Sequence, residues 1–341
     1  MTASNPSLDD WKRLYDLAAK VKELAPWKWM QETDVFGVQE PGSGDFGYVS
    51  VMGALGEHLS VAVYLGRRGL EGFWDMQELG NRLTPEVALQ VPQLQASFED
   101  REMISAEDRK LMKELGLKYR GAQAWPQFRS YRPGCFPWYL EKAEAEMLAC
   151  ALEQLLEVAP RFKENPAIFS PTKSDEDYLT RVKNNDQWED VTLRVEFEQE
   201  KSFDLMMNEE ALEALKRAMP GKMVVEADLS IMLNNPAQDN RKERPYFPYM
   251  LMLAEHESGY ILASELLKPL PSIESMLGEI PAIVTEILAN GLPPKEIQVK
   301  DPMLYLLLQA VAKVAGFRVT QTSHLRAIER AKREMKRFFG R

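Results

Sequence analysis

Hydrophobic positions near the N-terminus follow a helical period first and a strand period afterwards. Leu14, Leu17 and Val21 fall on one face of a 3.6-residue repeat, which predicts a helix over about residues 8–24. Residues 46–52 and 59–65 form two further apolar stretches, and the second alternates with the two-residue period of a half-buried strand. An earlier strand is expected within WKWMQETDVFGVQ, so this part of the chain predicts one helix followed by three strands.

Glycines are concentrated in this first region, where nine of the 19 lie between Gly37 and Gly72. The segment GSGDFG has the spacing G-x-G-x-x-G, but a dinucleotide site requires a helix directly after it. The strand-like YVSVM follows instead, so we interpret the segment as a hairpin turn. A backbone nest for a small anion at the neighbouring glycine turns remains an alternative.

Residues 73–116 are mostly polar with a helical pattern, and Ser105 is a candidate N-cap. Residues 119–139 then interleave arginines with aromatic side chains. Such a segment can stack on single-stranded nucleic acid, or it can pack its rings onto neighbouring helices. Because the chain is acidic, the second interpretation is favoured. A long helix is predicted over about residues 139–158.

Polar residues and turn formers fill residues 164–188, where we place the domain boundary. The predicted domains are residues 1–168, a glycine-rich α+β module with a long helix, and residues 169–341. Within the second domain, residues 191–197 alternate as a strand and residues 209–219 read as a helix.

The remaining pattern is the most informative part of the sequence, because apolar runs with strand and helix periods succeed one another in a fixed order. Strands are predicted at about 223–233, 246–254, 259–266, 296–300 and 317–321, and helices at about 272–290, 303–315 and 323–338. Three consecutive strands favour an antiparallel meander. The strand–helix–strand unit after it favours a right-handed parallel crossover.

The order βββαβαβα resembles the ribonuclease H-like fold of integrases and transposases, over about residues 223–338. The phrases that carry the resemblance are VEADLSIML in the first strand and IQVKDP at the end of the fourth. In that superfamily, acidic residues hold divalent metal ions. The resemblance therefore implies catalytic roles for Asp228, Asp301 and Glu334, with Glu329 as the less favoured third carboxylate. Asp228 and Asp301 would bind Mg²⁺ or Mn²⁺.

Each of these residues also has an ordinary structural interpretation. Asp301 precedes Pro302 and an apolar helix, as an N-cap does, and Gly316 follows that helix as a C-terminal stop. Asp228 shares the polar face of its strand with Glu226 and Ser230. His256 and His324 have no partners at metal-ligand spacing, and His58 falls in a predicted loop, so all three histidines are interpreted as surface or near-surface residues.

Over about residues 8–335 the chain also resembles a family of uncharacterised bacterial two-module proteins, known as domains of unknown function. The strings that carry this resemblance are PWKWM, DVFGVQ, GYVSVMGALGE, VAVYLG and GLEG in the first module and RPYFPYMLMLAEHESGYILASELL in the second. Together the patterns predict an α+β protein of two domains. The first is an αβββα-type module with extra helices, and the second is a ribonuclease H-like mixed sheet flanked by helices.

Composition limits the partners. The net charge of −10 opposes non-specific binding to nucleic acid or to anionic membranes. Residues 318–341 nevertheless carry eight Lys and Arg against two Glu, so a nucleic acid would contact this basic helix or residues 119–139. Two cysteines and the absence of a signal-like or membrane-spanning segment predict a cytoplasmic protein that does not enter membranes.

Two functions are favoured by these patterns, and a nucleotide or small-anion sensor that uses the glycine-rich N-terminal turns is a third. The first is a non-catalytic binding or scaffold protein with a degenerate ribonuclease H-like domain. The second is a metal-dependent nuclease or nucleic-acid-processing enzyme that uses Asp228, Asp301 and Glu334, and only this alternative implies Mg²⁺ or Mn²⁺. Whether the chain is an enzyme is left open by the sequence, because it has no tight catalytic motif.

Overall fold

The computed structural model describes residues 4–169, 174, 176–196, 204–219, 221–241, 243–291 and 293–339. The chain forms two compact units. The first comprises Met1–Arg132 and Pro137–Gln199, and the second comprises Pro133–Phe136 and Glu200–Arg341.

The first unit is built on a seven-stranded sheet of order β5-β4-β3-β2-β1-β6-β7. Neighbouring strands are antiparallel, except that β1 and β6 are parallel. Its elements are α1 (Leu8–Leu24), β1 (Phe36–Gln39), β2 (Phe46–Met52), β3 (Ser60–Leu65), α2 (Gly66–Leu79), α3 (Pro85–Ala88), β4 (Gln93–Glu99), α4 (Ala106–Glu114), β5 (Trp125–Tyr131), α5 (Lys142–Glu164), β6 (Asp177–Asn184) and β7 (Gln187–Arg194).

Helices cover both faces of this sheet. The predicted first helix is confirmed as α1, which begins with a capping box between Ser7 and Asp10. The apolar stripes of α1 and α5 pack together with one face of the sheet in the largest core, and α2 packs on a separate apolar cluster around Tyr48 and Tyr64. The GSGDFG segment forms the predicted hairpin turn and the start of β2, since Phe46 and Gly47 already pair with β1.

Two strands lie where the sequence predicted helix or loop. Strand β4 falls inside the segment 73–116 that was predicted to be helical, and β5 falls inside the Arg/aromatic segment 119–139. Both are short. Buried and partly buried positions alternate along β5, whereas in β4 Leu94, Ala96 and Phe98 are buried together with Ser97, and Gln95 is partly buried. The module therefore has more strands than the αβββα pattern predicted.

The structure also corrects the predicted boundary after residue 168. Strand β6 pairs with β1, and β7 pairs with β6, so this hairpin completes the first sheet. The predicted strand over 191–197 corresponds in part to β7, and Phe197 lies outside the described residues. The hairpin is rich in charged residues, and its exposed outer strand explains why the sequence resembled a linker.

The second unit contains a five-stranded mixed sheet of order β10-β9-β8-β11-β12. Strands β8, β9 and β10 form the predicted antiparallel meander, β11 pairs in parallel with β8, and β12 pairs in parallel with β11. The predicted element order is therefore confirmed. The elements are α6 (Glu209–Arg217), β8 (Val224–Ile231), β9 (Tyr249–Glu255), β10 (Ile261–Leu267), α7 (Ile273–Ala289), β11 (Glu296–Val299), α8 (Pro302–Ala315), β12 (Arg318–Gln321) and α9 (Arg326–Phe339).

Both faces of the second sheet are covered by helices. Helices α6, α7 and α8 pack on one face in an apolar core that includes Val225 and Ala227 of β8. Helix α9 packs on the other face, against Met250, Met252 and Ala254 of β9. The protein is thus of the α+β class. Within the described ranges, none of the helices has the length and apolar character needed to cross a bilayer.

Candidate functional site

Strand β8 carries its polar side chains on the face that α9 covers. Glu226 lies opposite Ala254 in the ladder and Asp228 lies opposite Met252. Cross-strand partners project from the same face of a sheet, and both of these β9 residues contact α9. The acidic positions that the sequence placed on a polar strand face therefore lie beneath a helix.

Glu226 is fully buried, at 0% exposure, and each of its oxygens has a hydrogen-bond donor. The Nδ1 atom of His256 lies 2.7 Å from Oε1, and the backbone N–H of Ile328 donates to Oε2 at 3.0 Å. Ile328 is in the first turn of α9, where backbone N–H groups have no partner within the helix and the helix dipole favours negative charge. This carboxylate therefore anchors the start of α9 to the sheet.

Asp228 is held by a second contact one helical turn further along. Its carboxylate pairs with the ammonium group of Lys332, and the Asp228 side chain is 18% exposed. Two strand residues advance by about 6.6 Å and four helix residues by about 6 Å. The spacing of the two acids on β8 thus matches the spacing of their two partners on α9.

Asp301 is used as a helix cap. It precedes α8, and its carboxylate accepts a hydrogen bond from the backbone N–H of Leu304 at 2.8 Å. Pro302 occupies the first turn, and Gly316 ends the helix in the left-handed conformation with a φ of 80°. The N-cap interpretation made from the sequence is confirmed.

Glu334 is exposed on α9, whereas Glu329 is half-buried. Glu329 lies 3.7 Å from His324. The sequence favours Glu334 over Glu329 as the residue nearer the sheet, but Glu334 is the more exposed of the two. The reason is that α9 is oriented by the contacts of Ile328 and Lys332 with β8.

Metal binding receives no support from these positions. In the described ranges, no group of three or more His, Cys, Asp and Glu side chains is arranged to hold a metal ion. Asp228 already has a cationic partner and Asp301 has a backbone donor. A site for two Mg²⁺ or Mn²⁺ ions would need several oxygen ligands converging on shared cations.

Two residues of this buried polar cluster were not identified by the sequence analysis. On the sequence alone, Glu226 has no role beyond the polar face of its strand, and His256 is interpreted as an ordinary surface or near-surface residue. The available signal was topological: a central strand flanked on both sides has both faces covered. A carboxylate on such a strand must then be paired, and the partners come from the β9–β10 turn and from α9.

In the first unit, the Arg/aromatic segment packs inward, as the favoured interpretation predicted. Phe128 is buried, and its ring lies 5.0 Å from that of Tyr15. Arg129 forms an ion pair at 2.5 Å with buried Asp108, and Arg132 pairs with Glu144 at 2.9 Å. These two arginines are neutralised by the protein itself.

Two family models match the chain. A domain of unknown function (DUF7309) matches residues 11–181, and a second domain of unknown function (DUF6930) matches residues 211–336. A comparison with curated proteins found no match. The first match covers half of the chain, and the candidate carboxylates described above lie within the second. The chain therefore belongs to the DUF7309 family, with a DUF6930 module following in sequence.

Proposed function

We propose that this chain is a non-catalytic binding protein whose second unit is a degenerate ribonuclease H-like scaffold. The strand order β10-β9-β8-β11-β12, with a meander followed by two parallel strands, supports that assignment. In this fold the first-strand carboxylate would bind the catalytic metal. Here the same strand uses its carboxylates to attach α9.

The observation that carries the proposal is the ion pair of Asp228 with Lys332. An ammonium group on this carboxylate takes the place that a divalent cation would need, and displacing it leaves a partly buried lysine without its partner. Asp301 stabilises the start of α8, and Glu334 is exposed on α9. The three carboxylates thus serve separate purposes.

Titration of Mn²⁺ into the full chain by isothermal calorimetry tests this proposal. We expect no saturable uptake, and no Mn²⁺-dependent cleavage of single- or double-stranded nucleic acid. The matched variants are Asp228→Asn and Asp239→Asn, because Asp239 is an exposed aspartate that also pairs with a lysine, Lys268. Stoichiometric uptake that Asp228→Asn abolishes and Asp239→Asn retains would overturn the proposal and restore the metal-dependent nuclease.

We also propose that the protein is bacterial and works in the cytoplasm. The bacterial origin rests on the family resemblance of the two modules. The location is supported by the low cysteine content, two in 341 residues, and by Cys150, whose buried thiol forms no disulfide.

A further inference from the structure

A cleft of about 810 Å³ opens in the first unit next to α4. Its walls come from the turn that follows β4, from α4, and from the segment of residues 116–125 that leads into β5. This volume lies within the range of about 300–1,000 Å³ that is usual for small-molecule sites.

The cleft concentrates positive charge in an acidic chain. Five basic side chains line it against two acidic ones, while the chain as a whole carries −10. The basic residues are Arg101, Arg109, Lys113, Lys118 and Arg120. Arg109 and Lys113 are four residues apart on α4, so like charges share one helical face, an arrangement that destabilises a helix.

These cations differ in their partners from three buried or partly buried arginines of the same unit. Arg129, Arg132 and Arg181 each pair with a carboxylate. In the cleft, Arg109 donates to the carbonyl oxygen of Ile104 at 2.9 Å, and no ion pair links any of the five to a described residue. A cluster of five cations against two carboxylates, with no ion pair to a described residue, is suited to an anionic ligand.

The two acidic residues offset only part of this charge, since five basic side chains line the cleft against two acidic ones. Asp100 accepts a hydrogen bond from the backbone N–H of Gln123 at 2.8 Å, which fixes the loop that forms one wall. Glu102 is exposed at the edge of the same turn. Asp100 therefore shapes the cleft.

Aromatic rings form the other wall of the cleft. Tyr119 and Trp125 are half-buried, and their ring centroids lie 5.8 Å apart. Burial, with a smaller contribution from Asp16, raises the pKa of Tyr119 to about 12, so its phenol stays neutral and does not repel an anion. Indole and phenol faces are the surfaces on which nucleobases stack.

We propose that this cleft binds a nucleotide, with the phosphates on the Arg/Lys cluster and the base against Trp125. Arg and Lys bind the phosphates, and the aromatic ring stacks on the base, so the ligand must carry both a phosphate group and a base. The ligand is either a free nucleotide or one unit of a single strand. The site lies within the first unit and does not depend on the carboxylates of β8, so it is independent of the function proposed for the second unit.

Calorimetry on the full chain with ADP, pyrophosphate and adenosine tests both halves of the recognition. We expect ADP to bind at least about tenfold more tightly than either fragment, which corresponds to about 1.4 kcal/mol. Equal affinity for ADP and pyrophosphate would overturn the nucleotide assignment, as would the absence of binding by all three. A short oligoadenylate that binds more tightly than ADP, at the same site, identifies a strand as the source of the nucleotide.

Charge reversal locates the site. Lys113→Glu with Arg120→Glu should weaken ADP binding by about a hundredfold, since two phosphate contacts are replaced by repulsion. The matched control is Lys110→Glu, because Lys110 is exposed on the same helix but does not line the cleft. All three positions are exposed, and circular dichroism checks that the fold is kept. Binding that is unchanged in the double variant, or lost equally in the control, contradicts the proposed site.

Discussion

Removing the carboxylate of Glu226 should detach the start of α9 from the second sheet. The change is Glu226→Ala, at a side chain with 0% exposure. Two donors lose their acceptor: Nδ1 of His256 at 2.7 Å and the backbone N–H of Ile328 at 3.0 Å. The N–H of Ile328 is buried, so water cannot replace the lost acceptor without entering the core.

The size of the effect follows from these two contacts. A hydrogen bond to a charged group contributes about 1.5–3 kcal/mol, and a buried donor left without an acceptor costs about 1–3 kcal/mol. His256 is 35% exposed in its side chain and can turn to solvent, so its share is the smaller one. We therefore expect Glu226→Ala to lower the free energy of unfolding by about 3–5 kcal/mol. Glu226→Gln keeps one acceptor oxygen and should lose about half as much.

Urea unfolding followed by two probes measures this change in the relevant unit. All seven tryptophans lie between Trp11 and Trp188, so tryptophan fluorescence reports on the first unit, whereas far-ultraviolet circular dichroism also detects the second. Hydrogen exchange should show faster exchange of the amides of α9 and β8 in Glu226→Ala. Glu265→Ala is the control, because Glu265 is an exposed residue on β10 of the same sheet and should change stability by less than about 0.5 kcal/mol.

Two results would refute this reasoning. If Glu226→Ala and Glu265→Ala unfold at the same urea concentration, the carboxylate does not hold α9. If the stability falls but the amides of α9 keep their protection, the loss arises elsewhere in the sheet and not at the anchor.

Three further predictions concern residues with a single defined contact. Asp301→Ala should cost about 1 kcal/mol in urea unfolding, whereas Asp301→Ser should restore most of it, because a serine also caps a helix but does not replace a metal-binding carboxylate. Hydrogen bonds from Arg161, and then from Arg181, hold the pKa of Asp190 below its ordinary value of 3.8. The wild type should therefore be more stable than Asp190→Asn above about pH 5, and this difference in stability should shrink as the pH falls through the lowered pKa. Thermal melts over a range of pH measure the difference. Burial raises the pKa of Cys150 to about 12, so iodoacetamide at about pH 8 should alkylate it only after unfolding, as mass spectrometry would show.

Elements with a strong local signal were predictable from the sequence. Helix α1 begins and ends at the predicted residues, because one apolar stripe, an N-terminal cap and a following proline all act locally. The caps of α8 were predictable for the same reason. The βββαβαβα order was predictable because strand-like and helix-like hydrophobic periods follow one another along the chain, and because the parallel strands of this sheet require helical crossovers between them.

Elements whose identity depends on distant partners were not predictable. The hairpin of β6 and β7 has many charged residues, and only its pairing with β1 makes it part of the first sheet. Buried Arg181 shows the cause: it reaches Gln154 of α5 at 2.9 Å, a contact that no local pattern encodes. The polar composition of residues 164–188 therefore resembled a linker, and the predicted boundary was placed too early.

The polar face of β8 shows why the candidate site was harder to predict than the fold. Alternation along a strand shows that two sets of side chains face opposite ways, but it does not show which face meets water. Glu226 and Ile328 are separated by 102 positions, so their contact depends on α9 crossing the sheet. Once the order of elements places β8 at the centre, burial of both faces follows, and an unpaired carboxylate there would cost several kcal/mol. Topology therefore requires the carboxylate of Glu226 to be paired, and only the three-dimensional structure shows that a backbone N–H of α9 and a histidine provide the pairing.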